Sequence, residues 1–187
     1  GDPASILPEL ASTHDVDRVV WGREYSGFAQ SRDQQVADAL TERDIAYSSV
    51  RDSIFFEPGS ITTNKGEPYS VYTYFWKKWR DREKETPIDA PDAGVFVPDN
   101  AAGDPLPTID SLGFEEPIAD IQPAGTKAAR NRLSEFCADG IYRYDDDRDY
   151  PSRDAVSRLS ADLSSGTIGV RDVYAATVAA AEVDGIT

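Results

Sequence analysis

The run YDDDRDYPSRDAVSRLSADLSSGTIGVRDVY, from Tyr144 to Tyr174, sets the order of helices in the second half of this chain. An aromatic residue closes one helix, an arginine-containing turn follows, and hydroxyl residues open the next helix. A turn bounded by glycines then leads into a third. If Ser157 lies in a first turn, its hydroxyl and that of Ser160 share one face with free N–H groups at the positive end of the helix dipole. The pattern indicates a phosphate cradle, with an ordinary serine N-cap as the alternative.

The net charge bears on the partners of the protein. Thirty-four acidic residues against nineteen basic ones give a formal charge of −15. This sign is wrong for a nucleic-acid binder, whose affinity rests on neutralising phosphates. Either the protein does not bind DNA, or it comes from a high-salt cytoplasm in which a local basic patch survives on an acidic surface. The basic residues are mostly arginine and the acidic residues are spread along the whole chain, which favours the high-salt explanation.

The first half of the chain alternates between helix and strand patterns. Asp2 and Pro3 open a helix, and Val19-Val20-Trp21 form an apolar run typical of a buried parallel strand. The alternation predicts an α/β layer with parallel strands, which is incomplete here. The predicted elements are helix 2–13, strand 17–21, helix 28–43 and strand 45–50.

Four aromatic residues then fall at i, i+3, i+4 and i+7: Tyr72, Phe75, Trp76 and Trp79. Such a stripe indicates a helix whose aromatic face joins the core. The alternative is a stacking platform for single-stranded bases, because lysines and an arginine lie close by.

A proline-rich segment separates the two halves. We interpret residues 84–124 as an extended linker, anchored to a surface by residues 95–97, Ile109 and 112–114. Helical spacing resumes over 125–144 and again from Val170. The predicted domains are therefore an α/β part (1–83), the linker (84–124) and the start of an all-α domain (125–187).

Few residues suggest catalysis or metal binding. Cys137 and His14 are the only residues of their kinds, and His14 is expected in an exposed connection. Asp145-Asp146-Asp147 lacks the spacing of a calcium loop, so a solvated acidic face is the favoured interpretation.

No apolar run approaches 18 residues and no signal-like segment occurs, which predicts a cytoplasmic protein without a membrane partner.

The same motifs resemble the DNA photolyase/cryptochrome family. Tyr144, the turn Arg148-Asp149-Tyr150-Pro151 and the segment Ser157-Arg158-Leu159-Ser160 match the start of its flavin-binding domain in order and spacing. Val156 stands where the family usually has threonine. Upstream, WGREYSGFAQSRD and FEPGSITTNKGEPYSVYTYFWKKW are similar to family segments, although Gly22 stands where asparagine is usual. The resemblance runs from about Asp2 to about Ala181, acidic archaeal members are the most similar, and we expect an internal fragment of a longer protein.

The resemblance implies light-driven repair of pyrimidine dimers in DNA by reduced FAD, with base flipping. It also implies a monomer, inactive as this fragment alone, that acts on damaged DNA through a phosphate contact from Arg148. The FAD-binding positions it implies are Tyr144, Val156, Ser157, Arg158, Leu159 and Ser160.

Two alternatives stay open: a cryptochrome that senses blue light without repair, and an acidic α/β fragment without a cofactor. Phe28-Ala29 replaces the folate-contacting pair of some members. The resemblance therefore implies a deazaflavin antenna, or none, in preference to folate.

Overall fold

A computed structural model describes residues 1–96, 105–115 and 117–183, the last residue by its backbone only. The chain forms two compact units. The first comprises Gly1–Val20, Gly27–Ser48 and Asp89–Ala124, and the second comprises Trp21–Ser26, Ser49–Ile88 and Gly125–Thr187. The boundaries predicted at 83/84 and 124/125 stay a prediction.

The first unit is built on two helices, α1 (Pro3–Thr13) and α2 (Gly27–Glu42). The carboxylate of Asp2 accepts the N–H of Ala4 at 3.2 Å, which confirms the predicted helix start. The two helices pack on each other through small and aliphatic side chains, which makes their contact close. The buried residues are Pro8 and Ala11 on α1 and Ala29, Val36, Ala37 and Leu40 on α2.

Strands β1 (Arg18–Gly22) and β2 (Ala46–Val50) form a small parallel sheet, so the predicted α/β class is confirmed. The expectation that Val19-Val20-Trp21 form a fully buried strand is wrong. Exposure alternates along β1, and Val20 is 54% exposed. Within the described residues the sheet has two strands, so both are edge strands and one face of β1 stays open.

The aromatic stripe lies on α3 (Tyr72–Asp81), but only half of it is packed. Phe75 and Trp79 are half-buried, whereas Tyr72 is 73% and Trp76 38% exposed, so the core interpretation is wrong for these two. The reason is that aromatic partners reach only the end of the helix at Trp79. The rings that meet Trp79 edge-on, at centroid distances of 5.7, 6.2 and 6.0 Å, are those of Phe55, Phe56 and Tyr174.

The helix predicted over 125–144 is interrupted. It consists of α4 (Thr126–Glu135), a π turn (Phe136–Gly140) and α5 (Ile141–Asp147). A Cβ on Gly140 would lie 3.0 Å from Cδ2 of Phe136 and 3.8 Å from Cα of Ala155. The tight contact is the one with Phe136, so glycine leaves room for this ring at the turn, whereas the distance to Ala155 is an ordinary van der Waals contact.

Two further helices, α6 (Ser160–Ser165) and α7 (Val170–Val183), follow, and they confirm the prediction that the chain is all-α from about residue 125 onward. Their apolar residues meet α4 in one cluster. Its members are Ala129, Leu133, Leu159 and Ile168, with Cys137, Leu163, Val173 and Ala176 packed around them.

The linker residues that the structure describes carry two short 3-10 turns, Ala93–Val95 and Asp110–Leu112. The expected anchoring is wrong for the described apolar residues, which are more than half exposed because no described surface covers them. These are Val95, Phe96, Ile109, Leu112 and Phe114. Val97, the remaining predicted anchor, lies outside the described residues.

None of the helices in the described ranges has the length and apolar character that crossing a bilayer requires.

Candidate cofactor-binding cleft

The segment before α6 is not helical, so Ser157 does not lie in a first turn as the sequence suggested. Helix α6 begins three residues later, at Ser160. Arg158 adopts a left-handed backbone with φ of 52°. Leu159 follows as the residue before the helix and is 1% exposed, because its side chain belongs to the apolar cluster. The chain therefore turns at Arg158 and buries Leu159, and Ser157 lies before this turn in irregular backbone.

Ser157 lies on the wall of a cleft of about 210 Å³. The predicted binding residues Val156 and Arg158 share this wall with it. The other predicted positions lie elsewhere: Leu159 in the core and Ser160 on the exposed first turn of α6. The lining residues are Arg132, Glu135, Phe136, Asp139, Gly140, Asp154, Val156, Ser157 and Arg158.

Tyr144 does not line the cleft but contacts a residue that does. Its ring meets Phe136 edge-on, with centroids 6.3 Å apart and planes at 88°, and Phe136 lines the cleft. The guanidinium of Arg148 lies 5.6 Å from the centroid of Tyr144. Nη2 of Arg148 is 3.5 Å from Oδ1 of Asp145, and both side chains are exposed. Arg148 is therefore loosely held on the surface at the end of α5.

Sequence reasoning missed the contact that holds the inner wall of the cleft. Arg132 of α4 donates two hydrogen bonds of 2.7 Å to the carboxylate of Asp162 in α6. Thr167 donates a further one at 3.0 Å. The hydrogen bonds from Arg132 hold the pKa of Asp162 below its usual range. The pair ties α4 to α6, the helix that follows the Ser157 turn.

Asp147 is also placed differently from the prediction of a solvated acidic face. It is 8% exposed, because it lies between two arginines. Nη1 of Arg143 is 2.8 Å from Oδ2 of Asp147, and Nη1 of Arg153 pairs with Oδ1. The hydrogen bond from Arg153 lowers the pKa of Asp147 first, and that from Arg143 adds to it. Asp147 thus fixes the RDYP turn that leads to the cleft, while Asp145 stays exposed.

The rim of the cleft is acidic. Its two guanidinium groups, on Arg132 and Arg158, face three carboxylates, those of Glu135, Asp139 and Asp154. Nη2 of Arg158 lies 3.0 Å from Oδ1 of Asp154, so an anion entering the cleft competes with that carboxylate for Arg158. Salt screens the exposed rim charges and weakens this competition.

A larger opening, of about 520 Å³, surrounds an ion cluster in the same unit. Glu85 accepts from Arg51 at 2.7 Å and pairs with Arg171, which is 9% exposed. Nη1 of Arg171 also lies 3.7 Å from Oδ1 of Asp52. The arginine charges are therefore met by carboxylates of the chain itself.

Metal binding finds no support in the described ranges, where no group of three or more His, Cys, Asp or Glu residues is placed to hold an ion. His14 caps α1 and is half-buried, which corrects the expectation that it is exposed; its backbone N–H bonds to the carbonyl of Leu10. Burial raises the pKa of the Cys137 thiol, which disfavours a thiolate.

The comparisons with known proteins agree on one family. A family profile described as DNA photolyase matches residues 1–92. The deoxyribodipyrimidine photo-lyase of Halobacterium salinarum is 50% identical over 183 residues, which cover 96% of this chain and 38% of that protein. The chain therefore spans about two-fifths of the length of this relative.

Solved structures agree. A class III photolyase from Agrobacterium tumefaciens matches with a TM-score of 0.79 and 26% identity, over 94% of this chain and 38% of that one. A cryptochrome from Synechocystis matches in fold, with a TM-score of 0.81 at 18% identity, over 100% of this chain and 40% of its own. By sequence and fold, the chain belongs to the DNA photolyase/cryptochrome family.

Proposed function

We propose that the full-length protein is a deoxyribodipyrimidine photolyase, which uses light and FAD to repair pyrimidine dimers in DNA. The 50% identity with the Halobacterium enzyme, which extends over 96% of this chain, supports this activity. The observation that carries the cofactor assignment is the cleft at Val156, Ser157 and Arg158. We keep the domain assignment of 1–83 as antenna domain, 84–124 as linker and 125–187 as the start of the flavin domain.

The cleft fits one end of an FAD molecule. Pockets that enclose a whole ligand measure about 300–1,000 Å³, so 210 Å³ suits a diphosphate and not the complete cofactor. The hydroxyl of Ser157 and the guanidinium of Arg158 are donors that phosphate oxygens accept. Once bound, the flavin would supply the light-driven electron transfer.

The remaining positions would act through these donors. Leu159 anchors the Ser157 turn by its burial, and Tyr144 supports Phe136 on the cleft wall. Ser160 would contribute its hydroxyl or first-turn N–H only after a local rearrangement, since it lies outside the cleft. These roles make Ser157 the primary hydroxyl ligand.

The test compares two serines in the full-length protein. Ser157→Ala should weaken FAD binding by about 1–2 kcal/mol, because a hydroxyl–phosphate hydrogen bond is lost. Ser160→Ala is the matched control and should have the smaller effect. Flavin occupancy and titration after cofactor removal measure both. Equal occupancy in wild type and Ser157→Ala would reduce Ser157 to a structural residue. The fragment alone should bind FAD weakly, since the cleft holds only part of it.

We further propose that Arg148 contacts phosphate of lesion-containing DNA. Its exposed guanidinium and its long 3.5 Å contact to Asp145 support this, because little is lost when it turns to a ligand. Arg148→Ala should lower affinity for lesion DNA and leave flavin occupancy intact. Arg130→Ala, which removes an exposed charge from α4, is the control.

The same titration, run at several salt concentrations, separates repair from sensing. A wild-type protein that binds flavin and shows no preference for damaged DNA at any salt would favour the cryptochrome alternative. The Synechocystis fold match gives that alternative its structural precedent.

For the antenna we propose a deazaflavin, or no chromophore, in place of folate. Phe28 is exposed at the start of α2 and Ala29 is fully buried, so neither offers a polar side chain to a folate. Absorbance of the extracted chromophores would test this.

We also propose that the protein is a monomer. Gel filtration combined with light scattering tests this.

A further inference from the structure

Basic residues that lack a carboxylate partner are concentrated around α3. Arginines elsewhere in the second unit, such as Arg132, Arg143 and Arg171, pair with acids. In the described ranges no ion pair involves any of five residues close together in sequence, although the chain carries 34 acids. These five are Lys65, Lys77, Lys78, Arg82 and Lys84. A cation left unpaired on so acidic a chain is available to an external anion.

Two of these cations line a cleft of about 410 Å³ beside the end of α3. The opposite side is a loop that supplies hydroxyl and amide groups. The only acid in the lining is Asp81, and its Oδ1 already accepts from Nε of Arg80 at 3.2 Å. The lining consists of Ser60, Ile61, Thr62, Asn64, Lys78, Asp81 and Arg82.

The guanidinium of Arg82 is held in place by neutral groups. It lies 4.5 Å over the ring of Phe56, and Nη1 donates to the carbonyl and the hydroxyl of Ser60 at 3.3 and 3.2 Å. Within the described residues only Nη1 of this group donates a hydrogen bond. The remaining N–H groups and the full positive charge are therefore left for a ligand.

The negative end of α3 does not oppose an anion here, because Lys84 covers it. Nζ of Lys84 donates to the carbonyls of Trp79 and Arg80 at 2.6 and 2.5 Å. A cation at the last carbonyls offsets the dipole of the helix. The field in the cleft is then set by Lys78 and Arg82.

We propose that this cleft binds the phosphate group of a small molecule, either inorganic phosphate or a phosphate monoester. Lys78 supplies a mobile ammonium and Arg82 a fixed, planar set of donors. Ser60, Thr62 and Asn64 offer neutral donors from the loop. The site is independent of the flavin cleft, and its occupancy requires neither FAD nor DNA.

The experiment measures binding of inorganic phosphate and of glycerol phosphate to the full-length protein, by calorimetry at constant ionic strength in chloride. Lys78→Gln and Arg82→Gln should each weaken binding about fivefold, the upper end for an exposed charge pair. Lys77→Gln is the matched control: it removes an unpaired lysine one position away that does not line the cleft, and it should leave binding unchanged. Arg82→Lys should restore part of the affinity, and circular dichroism checks the fold of each variant.

The two ligands separate the possible sources. Tighter binding of glycerol phosphate assigns the site to a monoester, and equal binding assigns it to the phosphate group alone. The proposal is overturned if neither ligand saturates. It is also overturned if Lys77→Gln weakens binding as much as Lys78→Gln, because anions are then held by the general field of the basic helix. Binding of single-stranded DNA without any binding of phosphate would assign the surface to nucleic acid instead.

Discussion

Nη2 of Arg132 lies 2.7 Å from both carboxylate oxygens of Asp162, and Nε lies 3.2 Å from Oδ2. Side-chain exposures of 14% and 5% make this one of the most enclosed ion pairs of the second unit. Since Arg132 also lines the cleft beside Ser157, the pair links this cleft to the packing of α4 and α6.

Asp162→Asn should destabilise the protein more than Asp139→Asn, although both acids bind an arginine. Loss of Asp162 leaves Arg132 charged in an enclosed place, whereas Asp139 has a side chain that is 71% exposed. Urea denaturation at low and high salt is the measurement. The loss in Asp162→Asn should persist at high salt, because enclosed pairs are screened little. Equal losses in the two variants would contradict this prediction.

Acid should unfold the protein through Asp147 and Asp162. Arg153 and Arg132, respectively, lower the folded-state pKa values of these groups from an ordinary value of 3.8. A lowered pKa stabilises the fold above the unfolded-state value, and the stabilisation is lost as the pH falls through the folded-state pKa. The window therefore begins near pH 3.8 and extends below it. Denaturation free energies measured from pH 6 downward should show a shallower acid limb in Asp162→Asn than in wild type.

Leu159→Ala should cost about 2–5 kcal/mol of unfolding free energy, because it opens a cavity among Ala129, Leu133 and Ile168. Val156→Ala, three residues earlier, is the control and should cost about 0.5 kcal/mol or less, since Val156 is 43% exposed. Thermal or urea unfolding measures both. A mild effect of Leu159→Ala would mean that the Ser157 turn is held by other contacts.

Val156→Thr should raise FAD affinity of the full-length protein by about 0.5–1.5 kcal/mol, the usual gain from one added hydrogen bond. The side chain lines the cleft and is exposed enough for a hydroxyl to be accommodated without strain. Flavin titration of Val156→Thr and of Val156→Ala, which removes both γ-methyl groups, separates a gain from the hydroxyl from an effect of lost apolar contact. The two variants should differ in affinity and agree in thermal stability.

The acidic rim predicts that FAD is retained better as salt rises. Asp154→Asn removes the carboxylate that competes for Arg158 at 3.0 Å, so this variant should bind flavin better at low salt and depend less on salt. Ser152→Ala, an exposed change in the same turn, is the control. A steeper salt dependence in Asp154→Asn would contradict the expectation.

Local periodicity predicted the regular elements well. Helix α2 was expected over 28–43 and extends over Gly27–Glu42, and the valine and tyrosine spacing after Gly169 identified α7. Asp2 and Pro3 marked the start of α1 correctly. In each case the determining contacts are local, between residues two to four apart, which a pattern records directly.

The cleft could not be predicted in the same way. Arg132 and Asp162 are 30 residues apart, and nothing in either neighbourhood indicates the pair. The π turn at Phe136–Gly140 preserves the helical spacing of apolar residues, so the pattern reads as one continuous helix. The aromatic stripe on α3 was assigned to the core and is only partly packed. Periodicity identifies one face of the helix, but it does not show which partner covers that face.

The left-handed backbone of Arg158 has a consequence for which residues this position can accept during evolution. A side chain in this conformation costs about 1–2 kcal/mol of strain, which glycine would relieve. Glycine, in turn, gives the unfolded chain more freedom and costs about 0.5–1 kcal/mol. The two effects nearly cancel, so the backbone hardly discriminates between arginine and glycine. Selection at position 158 is then free to follow the charge that the side chain brings to the cleft.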